Sequence, residues 1–450
     1  IGTVLQDPEK QIMGSYVLDE VAFGLENLGR PHDEILQTAQ STLGYLHIDH
    51  LRDRETFYLS GGEKQKVAIA GTLAMRPSVL LLDEPLANLD PLSAHEALAM
   101  IRRLADEGRT IIIIEHRVED ILSIQPDKVL LLAEGQQRYY GDVEGFTQAV
   151  ECGEVKLPSP IVMDKLRNEP LAEYATPALD AAGRDDKELV VFEGVTFRYE
   201  DGITALQDID LTIRAGDVMA ILGPNGAGKT TLVKHAIGLL KPTAGRVMVA
   251  GQDTGQTSTA QLARTLGFVF QSPSHMLFAP TVTKELAFGP RNLGSAQEDI
   301  DVGVAEAIEI LNLRGLEEYP PLALSFGQQK RVGIAAIVAM RSRVLAMDEP
   351  TAGQDYRNYM GFMDSILQMP NFSAILFITH DLDLAVSYAN RVVLMGDGRI
   401  VADGRPEEVL SIPELLEDCH LYSTSLLKVN LEMFERSGRF MRAEALARYL

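Results

Sequence analysis

The chain has 450 residues, of which 46% are hydrophobic, and a formal net charge of −23 at pH 7. Its length allows two or three domains with substantial cores, and its composition is that of a globular protein. The negative charge disfavours non-specific binding to nucleic acid or anionic lipid. Cys152 and Cys419 are the only cysteines, so we expect neither a disulfide framework nor a zinc or iron–sulfur site. No apolar run approaches the ~20 residues that span a bilayer, so a role at a membrane would require docking onto other subunits.

An internal repeat indicates the architecture. The segment Val4–Pro8 returns as Val269–Pro273, and Asp83-Glu84-Pro85 returns as Asp348-Glu349-Pro350, in each case after 265 residues. One constant offset over this length predicts a duplicated domain. The second copy begins near Glu188, so roughly 80 residues that precede its glutamine have no counterpart in the first copy. We therefore expect the first copy to lack its N-terminal part.

The domain organisation follows from this repeat. We predict a partial first domain at 1–150, a linker at 151–187, a complete second domain at 188–412 and a helical tail at 413–450. The linker contains four prolines and a polar run, which are typical of a connecting segment. The linker is acidic, as the chain is as a whole.

The first chemical motif is the run Leu59–Glu63, which begins a predicted helix that ends at Ala74. A serine hydroxyl and glycine amides at a helix N-terminus suit a phosphate, although Ser-Gly-Gly is also an ordinary N-cap. The phosphate interpretation is favoured because the run begins 24 residues before Asp83, and the second copy keeps the same spacing from Leu324 to Asp348.

Two carboxylates follow an apolar strand in each copy. The predicted strand Val79–Leu82 precedes Asp83-Glu84, and Val344–Met347 precedes Asp348-Glu349. Downstream of a phosphate-binding loop, the aspartate of such a pair would hold Mg²⁺ and the glutamate would polarise the attacking water.

A complete phosphate-binding loop lies in the second copy, between the predicted strand Val218–Leu222 and a predicted helix, Leu232–Leu240. Its residues are Gly223, Pro224, Asn225, Gly226, Ala227, Gly228, Lys229, Thr230 and Thr231. Glycines let backbone N–H groups close around phosphates, and the helix N-terminus adds partial positive charge. Lys229 would reach the β- and γ-phosphate oxygens, and the Thr230 hydroxyl would ligate Mg²⁺.

With these motifs the chain resembles the ATPases of ABC transporters, whose signature is LSGGQ, over nearly all of residues 1–410. The resemblance implies the α/β fold of P-loop NTPases, with helical signature subdomains, in two tandem copies. It implies ATP and Mg²⁺ as cofactors. It also implies further site residues by their match to family motifs: the Q-loop glutamines Gln6 and Gln271, the second of which would approach Mg²⁺, the D-loop Asp90, the switch histidines His116 and His380, and Tyr199 as the aromatic that stacks on adenine.

In that family, two domains pair head to tail and each ATP lies between one P-loop and the partner's signature. The resemblance thus implies an intramolecular head-to-tail dimer. One site would join Lys229, Thr230, Gln271, Asp348, Glu349 and His380 with Ser60, Gly61, Gly62 and Asp90. The other would join Gln6, Asp83, Glu84 and His116 with Ser325 and Gly327.

The signature of the second copy has Phe326 where the first copy has Gly61. If this position needs a positive φ, a non-glycine residue costs about 1–2 kcal/mol. That argument predicts unequal ATP sites, with the site built on Lys229 performing most of the hydrolysis. The alternative is that Phe326 points into the helical subdomain and the two sites are equivalent.

A narrower resemblance is to the energy-coupling factor (ECF) importers of vitamins and metal ions. It is carried by Gln6–Ile12 followed by Asp19–Gly29, which resemble the segment that grips coupling helices in those importers. The resemblance implies a transmembrane coupling subunit and a membrane substrate-binding component as partners, no nucleic acid, and a peripheral location on the cytoplasmic face of the membrane. Cargo choice would belong to another subunit.

Two other functions remain open at this point. A soluble twin-ABC ATPase could act on ribosomes or in DNA repair, but such proteins tend to carry a basic linker, an iron–sulfur domain or zinc modules, which the acidic linker and two isolated cysteines disfavour. A nucleotide-binding scaffold without turnover is disfavoured because Glu84 and Glu349 are both present.

Overall fold

The structure, a computed structural model, describes residues 1–86, 89, 91–167, 187–200, 202–351, 356–369 and 371–450. The chain divides into two compact units, Ile1–Leu157 and Pro158–Leu450. The boundary lies within the segment 151–187, for which the sequence predicts a linker. Among the described residues, no helix combines the length and apolar character needed to cross a membrane.

The first unit contains a parallel sheet and a group of helices. Its elements are β1 (Gly2–Val4), α1 (Val17–Asn27), α2 (His32–Tyr45), α3 (Gly61–Ala74), β2 (Val79–Asp83), α4 (Pro91–Asp106), β3 (Thr110–Ile114), α5 (Val118–Ser123), β4 (Val129–Ala133), β5 (Gln136–Gly141) and α6 (Val143–Ala149). Strands β1, β2 and β3 form the parallel sheet in that order, and β4 pairs with β5 in an antiparallel hairpin.

The core of the first unit lies between the sheet and helices α1, α2 and α3. Val21, Leu43 and Ile69, one from each helix, are almost fully buried in the same apolar cluster as Leu80 and Leu82 of β2. Burial of apolar area of this kind contributes about 25 cal/mol per Å². The helices therefore form a compact subdomain that carries the Leu59–Glu63 segment at its edge.

The second unit contains a larger sheet, an antiparallel sheet and two helical groups. Its elements are α7 (Ser159–Leu166), β6 (Glu188–Arg198), β7 (Thr204–Arg214), β8 (Val218–Leu222), α8 (Lys229–Ala236), β9 (Ala244–Val249), β10 (Gln252–Asp253), α9 (Thr259–Leu262), β11 (Leu266–Val269), α10 (Val282–Asn292), α11 (Gln297–Ile310), α12 (Phe326–Ala339), β12 (Val344–Asp348), α13 (Tyr356–Leu367), β13 (Ala374–Ile378), α14 (Leu382–Tyr388), β14 (Arg391–Gly396), β15 (Arg399–Gly404), α15 (Pro406–Val409), α16 (Pro413–Asp418), α17 (Ser425–Ser437) and α18 (Ala443–Leu446).

The central sheet has the order β11-β12-β13-β8-β14-β15, and all neighbours are parallel except β14 and β15. Strands β8, β12 and β13 are buried along their whole length, which explains why they read as continuous apolar runs rather than alternating ones. A second sheet, β10-β9-β6-β7, is antiparallel. Carboxyl ends of parallel strands meet at one edge, and that edge carries the candidate site.

One predicted boundary is wrong. The helix after the phosphate-binding loop was expected over Leu232–Leu240, but α8 begins at Lys229 and ends at Ala236. It begins early because Gly228, at the N-cap, has a left-handed φ of 97° that turns the loop directly into the helix. It ends early because Gly238 has a φ of 72°, which a helix does not continue through.

The helical tail packs on the second unit through a buried polar cluster. The Arg442 guanidinium donates to the carboxylate of Asp364 on α13 and to the hydroxyl of Tyr388 on α14, the latter at 2.5 Å. Helix α7 joins the tail, since the backbone N–H of Ser159 donates to Ser425 Oγ at 2.8 Å. The tail thereby contacts the helices that follow the second and third strands of the sheet.

Candidate nucleotide-binding site

The phosphate-binding loop adopts a conformation that requires glycine. Gly223 has a φ of 145°, and a Cβ atom there would lie 2.2 Å from the Met395 carbonyl oxygen. Gly228 has a φ of 97°, and a Cβ atom there would lie 2.5 Å from the Ala205 carbonyl oxygen. Both positions combine left-handed backbone with contact to a neighbouring strand, so no other residue fits.

Lys229 is the cation of this loop. Its Nζ donates to the carbonyl oxygens of Gly223, at 2.6 Å, and Pro224, at 2.9 Å, and the residue is 8% exposed. An ammonium bound to two carbonyls of its own loop can exchange them for the stronger, charge-assisted contacts of phosphate oxygens. It lies at the N-terminus of α8, where the helix dipole also favours an anion.

Thr230 and Asp348 are brought together across the loop. The Thr230 hydroxyl donates to Asp348 Oδ2 at 2.8 Å. Burial raises the pKa of the Asp348 carboxyl, and the hydrogen bond from Thr230 and the charge of Lys229 oppose that rise. Asp348 is the last residue of β12, and Gln271 lies two residues beyond Val269 of β11, which pairs with Met347 immediately before Asp348.

Glu349 and His380 form a hydrogen-bonded pair beside that site. His380 Nδ1 lies 2.8 Å from Glu349 Oε1, and the Thr379 hydroxyl donates to Glu349 Oε2 at 3.3 Å. The backbone of Glu349 is left-handed, with a φ of 45°. Left-handed backbone at a non-glycine residue costs of order 1–3 kcal/mol and is concentrated at functional sites.

The first unit repeats this pair. Glu84 has a φ of 43°, its Oε1 lies 3.0 Å from His116 Nε2, and its Oε2 accepts a hydrogen bond from Gln6 Nε2 at 2.6 Å. The hydrogen bond from His116 lowers the pKa of the Glu84 carboxyl, partly offset by burial. Asp83 ends β2, one residue earlier. The predicted D-loop residue Asp90 lies outside the described residues.

The signature serines cap the helices that they precede. Ser60 Oγ accepts from the Glu63 N–H at 3.3 Å and Ser325 Oγ from the Gln328 N–H at 3.4 Å, each with the reciprocal side-chain contact of a capping box. The N-cap role, which is the alternative to phosphate binding, is therefore present in both copies. Ser60 and Ser325 are exposed, as a ligand contact requires.

Phe326 does not have the positive φ that the sequence analogy with Gly61 suggests. Phe326 is the first residue of α12, and neither it nor Gly327 has a positive φ; the same holds for Gly61 and Gly62 at the start of α3. The glycine of the signature is thus in ordinary helical geometry, which any L-residue adopts. Phe326 causes no backbone strain, and unequal ATP sites need another reason.

Tyr199 lies beside the phosphate-binding loop. Its hydroxyl is 3.1 Å from Thr231 Oγ1, and its ring makes an edge-to-face contact with Phe197, with centroids 4.8 Å apart. The residue is 37% exposed, which leaves part of the ring open to a ligand. An exposed aromatic face of this kind can stack on a base.

Sequence reasoning missed several buried charged residues, among them Glu20, Glu285 and Lys330. Glu20 Oε2 accepts hydrogen bonds from the N–H groups of Met13 and Gly14, at 2.8 and 2.7 Å. Glu285 Oε2 accepts them from the corresponding residues Phe278 and Ala279, at 2.9 and 2.7 Å. The repeat itself could have identified this pair, since both glutamates open the recurring Glu-x-Ala-Phe-Gly segment. The third residue is Lys330 on α12.

Comparison with known proteins identifies the family. The ABC transporter family matches residues 1–87 and 206–352, one segment in each unit. A relative from Methanosarcina acetivorans, named as an ABC transporter ATP-binding protein, is 35% identical over 462 residues, which cover 92% of this chain and 74% of the relative. A relative of the same description from Vibrio parahaemolyticus is 33% identical over 98% of this chain and 81% of its own length.

Solved structures are similar to part of the chain. CbiO1 of Clostridium perfringens, described as part of the ABC transporter complex CbiONQ, is 33% identical over 56% of this chain and 97% of its own, with a TM-score of 0.47. MJ1267, an ATP-binding cassette of an ABC transporter, is 28% identical over 52% of this chain and 98% of its own, with a TM-score of 0.46.

The chain belongs to the ABC transporter family. It has the P-loop NTPase fold of that family's ATPases, and it is an ATP-binding, ATP-hydrolysing protein. ABC ATPases generally dimerise and pair with transmembrane subunits.

Proposed function

We propose that this protein powers a membrane importer of the energy-coupling factor type, which takes up a vitamin or a metal ion. It would bind a transmembrane coupling subunit from the cytoplasmic face and hydrolyse ATP at the site built on Lys229. The ATPase part of this proposal rests on the loop and strand-edge geometry of the second unit. The importer part rests on the segments that follow Gln6 and Gln271.

Each residue at the site has a distinct chemical role in this proposal. Lys229 and the N–H groups of its loop bind the β- and γ-phosphates, and Tyr199 stacks on the adenine. Glu349 accepts the proton of the attacking water, and His380 holds the Glu349 carboxylate in place through the 2.8 Å hydrogen bond. In the first copy, Glu84, His116 and Gln6 would have the corresponding roles.

The donor set also fits Mg²⁺. Thr230 Oγ1 and Asp348 Oδ2 are hard oxygen donors 2.8 Å apart. Gln271, whose amide offers a third oxygen donor, follows β11, the strand that pairs with the one ending in Asp348. Mg²⁺ prefers such oxygen ligands and combines one or two of them with phosphate oxygens. When bound, it would neutralise charge on the phosphates.

The observation that carries the transporter proposal is an exposed apolar side chain held at the same position in both copies. Met13 is 68% exposed and Phe278 is 60% exposed, yet the backbone N–H of each is bound by a buried glutamate. Phe278 also contacts Phe288, itself 47% exposed, with ring centroids 4.6 Å apart. Rigid, exposed apolar groups suit a partner with an apolar surface, such as a coupling helix.

The experiment is co-purification of the full chain with the transmembrane coupling subunit of an energy-coupling factor importer, after the two are produced together and the membranes are solubilised in detergent. Replacing Met13 and Phe278 by serine should reduce recovery of the complex at least about tenfold, because both apolar anchors are lost. The matched control replaces Leu239 and Leu322, which are also exposed apolar residues but lie outside the segments that follow Gln6 and Gln271, by serine. Undiminished recovery with the Met13 and Phe278 variants would show that the docking surface lies elsewhere, and co-sedimentation of the chain with ribosomes would favour the soluble twin-ABC function.

Head-to-tail pairing of the two ATPase units remains a prediction from the family resemblance. It would bring Ser60, Gly61, Gly62 and Asp90 to the Lys229 site, and Ser325 and Gly327 to the site that uses Glu84.

A further inference from the structure

Lys330 is a buried lysine close to the catalytic carboxylates. It lies on α12, one turn after the helix begins, and its exposed fraction is 0%. Its Nζ donates to the backbone carbonyl oxygens of Glu349 and Pro350, at 3.0 Å each. Lysine is almost never fully buried unless its ammonium is paired, so this position has a specific requirement for the donor.

The electrostatic surroundings of Lys330 are those of a functional site. Burial lowers its pKa to about 8, and the charges of Glu349 and Asp348 oppose that shift. The carbonyls that it binds belong to the Glu349–Pro350 peptide and to the next peptide, Pro350–Thr351. Lys330 therefore binds the backbone directly at Glu349, a residue with an uncommon left-handed φ of 45°.

Phe326 lies over the ammonium. It precedes Lys330 by four residues on the same helix, and Lys330 Nζ is 5.1 Å from the centre of its ring. Residues at this spacing are neighbours on a helix surface, and an ammonium over an aromatic face is attracted by the ring. Phe326 is 39% exposed, whereas Lys330 is fully buried. The contact with Lys330 explains why the signature of the second copy has an aromatic residue, at a position where the backbone is not strained.

The first copy differs at both positions together. Gly61 and Gln65 stand where the second copy has Phe326 and Lys330. Gln65 is 4% exposed, and in the described part of the chain its Nε2 has no hydrogen-bond partner. Glu84 has the same left-handed backbone as Glu349, but among the described residues Gln65 Nε2 donates no hydrogen bond to it. The aromatic cover and the lysine occur as a pair in the second copy.

We propose that Lys330, covered by Phe326, is a positioning residue for ATP hydrolysis, which holds the backbone at Glu349 so that its carboxylate is aligned with the attacking water. This inference rests on the proposed role of Glu349 as the base. Lys330 also connects the base to the signature segment, since α12 begins directly after Ser325. Displacement of that segment would move the contact that aligns Glu349.

The test compares ATP turnover, affinity for a fluorescent ATP analogue and thermal unfolding of the full chain. Lys330→Met keeps the length of the side chain but removes the donor. Turnover should fall about 10- to 100-fold, since small misplacements of a catalytic group cost up to about 10²-fold. The dissociation constant should change less than about threefold, because the phosphate contacts of Lys229 remain. Gln65→Met makes the same change at the matched position of the first copy and should leave turnover unaltered.

A second variant keeps the test decisive if Lys330→Met does not fold. Phe326→Gly restores the residue of the first copy and should lower turnover about threefold to tenfold at unchanged affinity. In the Lys330→Met background it should cause little further loss, because the two residues act as one unit.

Two results would overturn the inference. One is unchanged turnover in Lys330→Met, or in Phe326→Gly when only that variant folds. The other is a parallel loss of turnover and affinity, which would indicate a general packing role. Failure of the underlying proposal is distinguishable, because Glu349→Gln would then hydrolyse ATP at the wild-type rate. An inactive Glu349→Gln together with a fully active Lys330→Met would overturn the role of Lys330 alone.

Discussion

His380 and Glu349 are joined by a hydrogen bond of 2.8 Å between the ring Nδ1 and the carboxylate Oε1. In the first unit, His116 and Glu84 form the corresponding contact through the other ring nitrogen, Nε2, at 3.0 Å. Both glutamates have left-handed backbone. A strained residue with its carboxylate oriented by a histidine, repeated in two copies, is the arrangement expected of a general base at each ATP site.

Loss of the P-loop cation should abolish most ATP binding by the second unit. The Lys229 ammonium donates hydrogen bonds to two carbonyl oxygens of the loop, at the position where the phosphates of ATP would bind. We expect Lys229→Ala to weaken affinity at least about tenfold, because charge-assisted hydrogen bonds contribute about 1.5–3 kcal/mol each. Titration of the full chain with a fluorescent ATP analogue measures this. Lys284→Ala, at an exposed position on α10, is the control, and equal affinity in the two variants would disprove the P-loop assignment.

Burial of Lys330 makes the stability of the second unit depend on pH. Its pKa falls from the usual 10.5 to about 8, so between these values the unfolded chain binds more protons than the folded one. The free energy of unfolding should therefore rise with pH across this window by about 1–3 kcal/mol relative to Lys330→Met, which lacks the group. Urea unfolding of both proteins at several pH values gives the difference. A difference that does not change with pH would show that Lys330 is not buried as an ammonium.

The tail should stabilise the second unit through Arg442. Removing the guanidinium leaves the Asp364 carboxylate, whose side chain is 28% exposed, and the buried Tyr388 hydroxyl without their shared donor. We expect Arg442→Met to lower the free energy of unfolding by about 1–3 kcal/mol, less than a fully buried pair would lose. Arg436→Met, which removes a contact only to the Tyr449 carbonyl, should cost about 0.5 kcal/mol or less. Equal effects of the two variants in urea unfolding would contradict the anchoring role.

The sequence predicted the strands and the strand-edge motifs well. Val218–Leu222 is a strand with those bounds, and Val79–Leu82 and Val344–Met347 each extend by one residue to include the aspartate. These strands are central and buried, so their apolar runs are long and uninterrupted. Constant spacing in the repeat located the carboxylates independently.

The missed features depend on packing between distant segments. The burial of Lys330 depends on carbonyls about twenty residues away, and the role of Glu285 depends on a loop that folds back onto α10. A charged residue on a helix is usually exposed, so neither pattern predicts burial. The positive φ expected at Phe326 is wrong for a related reason. The sequence of the signature does not indicate that the position of its first glycine lies within a helix.

The most direct test of the account is single-turnover hydrolysis of ATP by the full chain in which Glu349 or Glu84 is replaced by glutamine. The Lys229 site is the one whose phosphate-binding loop is described in this chain, and Glu349 is its base. Glu349→Gln should therefore bind ATP with wild-type affinity and hydrolyse it ~10²–10⁴-fold more slowly, whereas Glu84→Gln should lose markedly less. A larger loss in Glu84→Gln, or wild-type hydrolysis by Glu349→Gln, would contradict the account.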